Sequence, residues 1–394
     1  MKLLDLNLPP ILSARGLLDF SIDALPFLMN EVAQEKDLGN KFMKLFIILQ
    51  NFKMDEFAQE MQDQAFLHRN VFRFLSPPQP QIRLLVIAGP GNMSHNVPLD
   101  FVLFNQNVQL DYFYVVNENQ TWESVPDHDV AILGLGESSQ HTALHHIIEK
   151  QRRQWPRPYL NNAKGVMNCA RERLYALLKD DPSVIVPRTQ RVDRTDVSRV
   201  PLPYLIRPID THSGQNFEKI QDSLALADYL NRSTSDVFYV SDFVDCAKED
   251  GLFRKFRIAL IDKKPYVCHL AISEDWVVHY IASHMELSRE KREEEEKFMF
   301  EFDTIFLAQH GASLSRVAHL IDLDYVVLDC GLSREGRLVL FEADNGAWIH
   351  DTDDPEIYPY KSEIMNKAFT AFTKMLIDHP KLAAPAAQLQ VRSI

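Results

Sequence analysis

Cysteine is scarce in this chain and never closely spaced. Cys169, Cys246, Cys268 and Cys330 show no Cys-x-x-Cys pattern. That argues against a zinc site or a disulfide framework and fits reduced thiols in a cytoplasmic protein. No run of about 18 apolar residues occurs, so no membrane-spanning helix is expected. The opening segment MKLLDLNLPPILSARG has a single basic residue before Asp5 breaks the apolar run, which makes a poor secretory signal. Lysine and arginine are outnumbered by aspartate and glutamate, 42 against 55, for a formal net charge of -13. That argues against a broad nucleic-acid surface, because phosphate binding needs clustered cations, and an anionic ligand would require a local basic pocket. Low-complexity segments are also missing. What remains is ordinary globular composition, 46% hydrophobic and 25% charged over 394 residues, enough for a large core divided among two or three domains.

Three regions follow from local pattern. From Ile11 to Phe74 apolar residues recur at helical spacing, as in Phe42, Leu45, Phe46 and Leu49, which predicts an N-terminal helical region over 1–78. The Pro77-Pro78-Gln79-Pro80 segment ends it. Ile82–Ala88, Gln109–Val116 and Asp129–Leu135 read as buried strands, with a helix starting near Pro98-Leu99-Asp100, so 79–165 is expected to be a parallel α/β domain. Its Gly89-Pro90-Gly91-Asn92 and Gly134-Leu135-Gly136-Glu137 segments do not form the Gly-x-Gly-x-x-Gly fingerprint. They fit tight turns at strand ends better than a dinucleotide site. Beyond 166 the order becomes helix, strand, strand, helix, then antiparallel strands over Val237–Val244, Lys255–Ile261 and Pro265–Ala271. The Arg289–Lys297 stretch, with four consecutive glutamates, reads as a solvated helix face.

The last third of the chain carries the chemistry. Tyr325–Cys330 and Arg337–Asp344 read as two strands of one hairpin. Alternation puts Glu342 and Asp344 on one face, and pairing can bring Asp329 beside them. Three clustered carboxylates favour a hard cation, with Mg²⁺ the natural candidate. A solvated hairpin edge bearing acids for solubility is the other reading. Lys255 and Arg257 share a strand face and form a cationic pair that could neutralise a phosphoryl group or clamp a carboxylate. His269 on the following strand could join them or pack in the core. Arg207 ends a strand just before the polar loop Thr211–Asn216, whose Gly214 lets backbone N–H groups fold over phosphates.

Taken in order, these pieces resemble the ATP-grasp superfamily. Five stretches carry the resemblance: RLLVIAGPGNMSHNVPLDFVL, HDVAILGLGES, PYLIRPIDTHSGQNFEKI, DGLFRKFRIALIDKKPYVCHLAISEDWVVHY and LDYVVLDCGLSREGRLVLFEAD. They are most similar to bacterial ATP-grasp proteins distantly related to the RimK-type ligases. The resemblance implies a mixed α/β and α+β fold: an N-terminal helical region, a pre-ATP-grasp α/β domain and a two-lobed ATP-grasp domain over 166–394, with lobes 166–236 and 237–394. It implies ATP and Mg²⁺ as cofactors. Arg171 (or Arg173), Arg207, Ser213 and Gly214 would contact the nucleotide phosphates. Backbone at Phe243 and Val244 would read the base, with Asp245 on the ribose. Asp329, Glu342 and Asp344 would hold metal, or Asn345 in place of Asp344 if a bulge shifts the register. Lys255 and Arg257 would act in catalysis. Trp276 and His279 resemble a family signature whose chemistry the residues do not give. The implied reaction joins small-molecule or peptide carboxylate and amine substrates through an acyl phosphate. A kinase acting on a hydroxyl, or a nucleotide-binding scaffold recruiting a protein partner through 1–78, are the other readings.

Overall fold

A computed structural model describes residues 1–18, 20–211 and 214–382. The chain opens with strand β1 (Lys2–Leu4) and helices α1 (Ala14–Leu17), α2 (Leu25–Ala33), α3 (Leu38–Asn51) and α4 (Asp55–Phe66). Apolar residues three and four apart put Met43, Phe46 and Ile47 of α3 on its buried side. The helical pattern stops earlier than periodicity suggests. Val71–Leu75 is strand β2, since a β-branched and aromatic run packs better on a pleated surface than along a helix.

β2 lies antiparallel at the edge of a five-stranded sheet ordered β2-β4-β3-β6-β7. The strands β3 (Ile82–Ala88), β4 (Val108–Tyr114), β6 (Val130–Leu133) and β7 (Tyr159–Leu160) are mutually parallel, while β5 (Ser124–Pro126) pairs with β1 instead. Helices α5 (Leu99–Leu103) and α6 (Thr142–Arg152) follow β3 and β6 in the chain, and α7 (Ala163–Asn168) leads on to α8 (Arg171–Leu178), which packs against the strands Thr189–Asp193 and Leu338–Asp344 and the helix Leu307–Ile321. Nearly continuous burial along β3, β4 and β6 is what a sheet covered on both faces requires.

The first lobe has strands β8 (Thr189–Asp193), β9 (Tyr204–Pro208), β10 (Glu218–Ile220) and β11 (Val237–Ser241) in the antiparallel order β10-β9-β11-β8, with helix α9 (Ser223–Arg232) alongside, so β11, expected to open the second lobe at 237, belongs instead to the first because it pairs with both β8 and β9. The Asp222 side chain caps α9 by accepting from the N–H groups of Leu224 and Ala225. The second lobe is an antiparallel sheet ordered β13-β12-β14-β15, from β12 (Phe253–Ile261), β13 (Lys264–Ser273), β14 (Tyr325–Leu332) and β15 (Leu338–Asp344). Helices α10 (Arg289–Glu301), α11 (Leu307–Ile321) and α12 (Lys361–Leu382) cover it. The β12–β13 turn places Asp262 and Lys263 at positive φ, 50° and 61°, the geometry of a two-residue hairpin.

The first lobe stands apart energetically. Val197, Tyr204, Ile206, Tyr229 and Phe238 form a core of their own, whereas the helical region, the parallel sheet and the second lobe share one continuous core. No helix among the described residues is long and apolar enough to cross a membrane. The glutamate run on α10 is not simply solvated. Glu294 pairs with Arg254 at 2.5 Å, and Glu295 is fully buried, accepting from Tyr360 Oη at 2.7 Å and the Leu270 N–H at 3.1 Å.

Asn161 fastens the parallel sheet to the second lobe. Held at φ 58°, it donates its N–H to Asp324 and its amide to the Tyr325 carbonyl, while its Oδ1 accepts from both following N–H groups, at 2.9 and 3.0 Å. Asparagine tolerates this left-handed backbone, and its one amide satisfies three buried main-chain groups. Asn161→Ala is expected to lower the unfolding free energy by about 2–4 kcal/mol. A urea midpoint unchanged from wild type would remove the fastening role.

Candidate functional site

The site is built on a row of side chains crossing the second-lobe sheet. Direct cross-strand partners place His269 of β13 opposite Arg257 of β12, Arg257 opposite Asp329 of β14, and Asp329 opposite Glu342 of β15. All four therefore project from one face, joined by Lys255 and Asp344 two residues along their strands. Register shifts flank the row, between Arg257 and Ile258 and between Asp329 and Cys330. Bulges of this kind re-aim side chains next to sites. Gly331 is needed beside the second shift, because a Cβ there would stand 2.7 Å from Phe341 Cζ.

Asp329 is the counter-ion of the cation pair. Its Oδ1 accepts from Arg257 Nε at 2.8 Å, and its Oδ2 accepts from Arg257 Nη2 and Lys255 Nζ, each at 2.9 Å. Burial by itself would raise the Asp329 carboxyl, but the charges of Arg257 and Lys255 outweigh it and hold the group well below the usual carboxylate range. Arg257 also donates to the Trp348 carbonyl at 2.9 Å. Burial, and then the charge of Arg257, lowers His269; burial, and then the charge of Lys255, lowers His279.

The opposite wall comes from α8 and the first lobe. Arg171, the first residue of α8, donates to Glu342 Oε1 at 2.6 Å, whereas Arg173 is exposed. Arg207 on β9 is buried and donates to Thr211 Oγ1 at 3.1 Å and to the Thr211 carbonyl. Burial, and next the like charge of Arg171, push Arg207 down to about 10. Two guanidinium groups that repel one another suit a polyanion. Gly214 follows at φ 74°, and Tyr229 Oη donates to the Asn216 carbonyl at 2.9 Å to anchor the loop. Ser213 lies outside the described residues.

Other expected residues stand as follows. Phe243 and Val244 lie in the segment leaving β11, with the Lys219 ammonium 3.7 Å above the Phe243 ring. Asp245 is paired with Arg334 at 2.5 Å, so a ribose would have to share it. The Asp344 Oδ1 accepts from the Gly346 N–H at 2.7 Å. Asn345 is turned the other way and is completely buried, donating to the Leu135 carbonyl at 3.3 Å.

Sequence pattern did not point to Glu137, Arg191 or Tyr239. Arg191 of β8 lies 2.7 Å from Glu172 and 3.5 Å from Glu137, and donates to Tyr239 Oη at 3.0 Å. Burial raises Glu137 to about 7 against the pull of Arg191. The available signal was position: Glu137 follows the carboxyl end of a parallel strand, where open α/β sheets place ligands.

Among the described residues no group of three or more His, Cys, Asp or Glu side chains is arranged to hold a metal ion. The cause is visible in the row, where both Asp329 oxygens are committed to Arg257 and Lys255. Glu342 and Asp344, hard carboxylate donors on one face of β15, suit Mg²⁺ by donor type.

No protein-family model matches the sequence, and no curated protein matches it. Several solved structures are similar in outline. VanG D-Ala:D-Ser ligase from Enterococcus faecalis is 12% identical with a TM-score of 0.48, the match covering 75% of this chain and 98% of that one. D-alanine–D-alanine ligase from Bacillus anthracis, complexed with ATP, is 12% identical with a TM-score of 0.46, over 76% and 97%. A RimK domain ATP-grasp protein from Sphaerobacter thermophilus is 13% identical with a TM-score of 0.44, over 76% and 99%.

Proposed function

We propose that this chain binds Mg-ATP between its two lobes and activates a carboxylate as an acyl phosphate for attack by an amine, the reaction of an ATP-grasp ligase. The observation that carries this reading is the His269–Arg257–Asp329–Glu342 row, with Asp329 buried, Arg171 donating to Glu342, and Arg207 the next guanidinium to Arg171. A carboxylate at neutral pH is a poor electrophile, and the remedy needs positioning and charge neutralisation more than a protein nucleophile.

In this reading Arg207 and Arg171 take the nucleotide phosphates, with N–H groups of the Gly214 loop above them. Glu342 and Asp344 would hold Mg²⁺, which supplies neutralisation of phosphate charge. Lys255 and Arg257, fixed by Asp329, orient the acid and draw charge off the transferred phosphoryl group. The acid oxygen bonds to the γ-phosphorus as the bond to ADP breaks. The amine nitrogen then bonds to the acyl carbon, the carbon–oxygen bond to phosphate breaks with its electron pair leaving on phosphate, and the nitrogen gives up a proton.

Thermal unfolding with and without Mg-ATP is the direct check. Nucleotide at about a hundred times its Kd contributes roughly 2.7 kcal/mol, which raises Tm by several degrees. ADP release from Mg-ATP that requires both an acid and an amine supports the ligase. Release driven by an alcohol without an amine would make the protein a kinase. A Tm rise with no turnover across acid, amine and alcohol panels would leave a nucleotide-binding scaffold. No Tm rise at all would remove the nucleotide site.

A further inference from the structure

A slot of about 680 Å³ opens in the N-terminal part of the molecule, on residues that the nucleotide reading leaves unused. Small-molecule sites typically measure roughly 300–1,000 Å³. One side is the stretch that begins in β1: Leu4, Leu6 and Leu8 line the slot, while Asp5, Asn7 and Pro9 between them are exposed. A second side is apolar as well, with Val71 of β2, Phe113 of β4 and Val125 of β5.

The leucine stretch is held at defined points. The Asp127 N–H donates to the Leu4 carbonyl at 2.7 Å and the Ile11 N–H donates to the Arg73 carbonyl at 2.8 Å. Between them Arg73 of β2 donates to the Leu8 carbonyl at 3.3 Å and to the Leu6 carbonyl at 3.4 Å. Asp111 fixes that guanidinium, accepting from Nε at 2.8 Å and from Nη2 at 3.0 Å. A braced guanidinium between the stretch and the sheet edge acts as a spacer, so the slot exists before any occupant arrives.

The third side carries charge. Lys36, Asp37, His68 and Arg69 line it, where the start of α3 meets the turn between α4 and β2. Arg69 donates from Nη2 to Asp37 Oδ1, which also accepts from the Asn40 N–H at 2.9 Å. Among the described residues the Arg69 Nε and Nη1 have no partner and Lys36 has no ion pair. Burial holds Arg69 below its ordinary value, against the charge of Glu35. Two fixed cations and a histidine thus stand with one carboxylate already in use, in a chain whose net charge is -13.

We propose that this slot binds a free fatty acid of medium chain length, its carboxylate on Arg69 and Lys36 and its unbranched tail along Leu4, Leu6 and Leu8. Charge complementarity selects the head, because a guanidinium with idle donors takes a carboxylate well. The apolar walls select the tail, which gains by leaving water. An extended peptide would need main-chain partners along the slot, and the Leu4, Leu6 and Leu8 carbonyls are taken by Asp127 and Arg73. A tail needs none. The slot shares no residue with the candidate nucleotide site, so its occupancy does not depend on that reading.

Calorimetric titration of the full chain with decanoate, below its micelle-forming concentration, tests this beside decanol, acetate and inorganic phosphate. Decanoate is expected to bind at one site, with decanol about tenfold to a hundredfold weaker for want of the charge. Acetate and phosphate should show no measurable binding there. Arg69→Met should bring decanoate down to the level of decanol and leave decanol unchanged. Leu6→Glu sets a like charge among the apolar walls and should weaken decanoate at least about tenfold. Leu6 is only half-buried, so the urea midpoint of that variant should stay near wild type. No saturable decanoate binding by the wild type, or phosphate binding as tight as decanoate, would overturn the inference. Decanoate affinity unchanged in either variant would place the fatty acid elsewhere and overturn it too.

Discussion

Asp329→Asn is expected to lower the unfolding free energy by about 3–5 kcal/mol, the cost of leaving buried charge uncompensated. Asp329 is 6% exposed and is the shared partner of Arg257 and Lys255. Asparagine is nearly isosteric, so packing is retained while two cations lose their counter-charge. The loss should be partly recovered in Asp329→Asn with Lys255→Met, which removes one stranded charge. The pH dependence has a defined sign. The folded carboxyl lies below its unfolded value, so its stabilisation is complete above the unfolded pKa of about 4 and is lost as pH falls below it. Urea unfolding of wild type and variant at neutral pH and near pH 3 measures both effects. A variant as stable as wild type at neutral pH would mean that the three groups are not the buried network described. Turnover should vanish in the same variant, but its stability must be measured first, because lost activity alone would not separate chemistry from folding.

Arg207→Met should behave in the opposite way, weakening Mg-ATP affinity about tenfold to a hundredfold without lowering stability. Charge-assisted hydrogen bonds to phosphate contribute roughly 1.5–3 kcal/mol, which sets that range. The stability half follows from the site's own electrostatics. Arg207 is buried, donates to the Thr211 hydroxyl and carbonyl, and is repelled by the neighbouring Arg171 guanidinium. Its folded value, about 10, lies below the unfolded one. The unfolded state therefore binds the proton more tightly, the charge costs stability at neutral pH, and the cost is relieved only as pH rises through about 10. Methionine keeps most of the apolar stem and removes that cost. Calorimetric titration and a urea midpoint on one preparation decide it. Unchanged affinity would take Arg207 out of the nucleotide site, and a large loss of stability would mean that its charge is satisfied in the fold itself.

Much of this site was legible because it rests on strands. Side chains alternate with a period of two, so Glu342 and Asp344 had to share a face, as did Lys255 and Arg257, whatever the rest of the chain did. Hairpin spacing similarly brought Asp329 beside Glu342, which the observed register repeats. Where local pattern was ambiguous it went astray at edges: Val71–Leu75 has apolar residues that fit a helix, yet pairing with β4 makes it a strand. Asp245, an open carboxylate by sequence, is met by Arg334 from the β14–β15 turn. One glutamate of a charged run, Glu295, is completely buried under Tyr360 and beside Lys361.

The sequence by itself determined the strands that carry the site and which of their residues share a face, because strand periodicity is a property of neighbouring residues. The tertiary structure alone decided which charge answers which. Asp329 neutralises Arg257 and Lys255, Arg171 rather than Arg173 reaches Glu342, and Trp276 meets rings from the first lobe and the segment leaving β11. Those pairings depend on through-space distances of a few ångströms between residues far apart in the chain. Electrostatic and packing energies are set by that separation and by burial, and neither is encoded in local spacing.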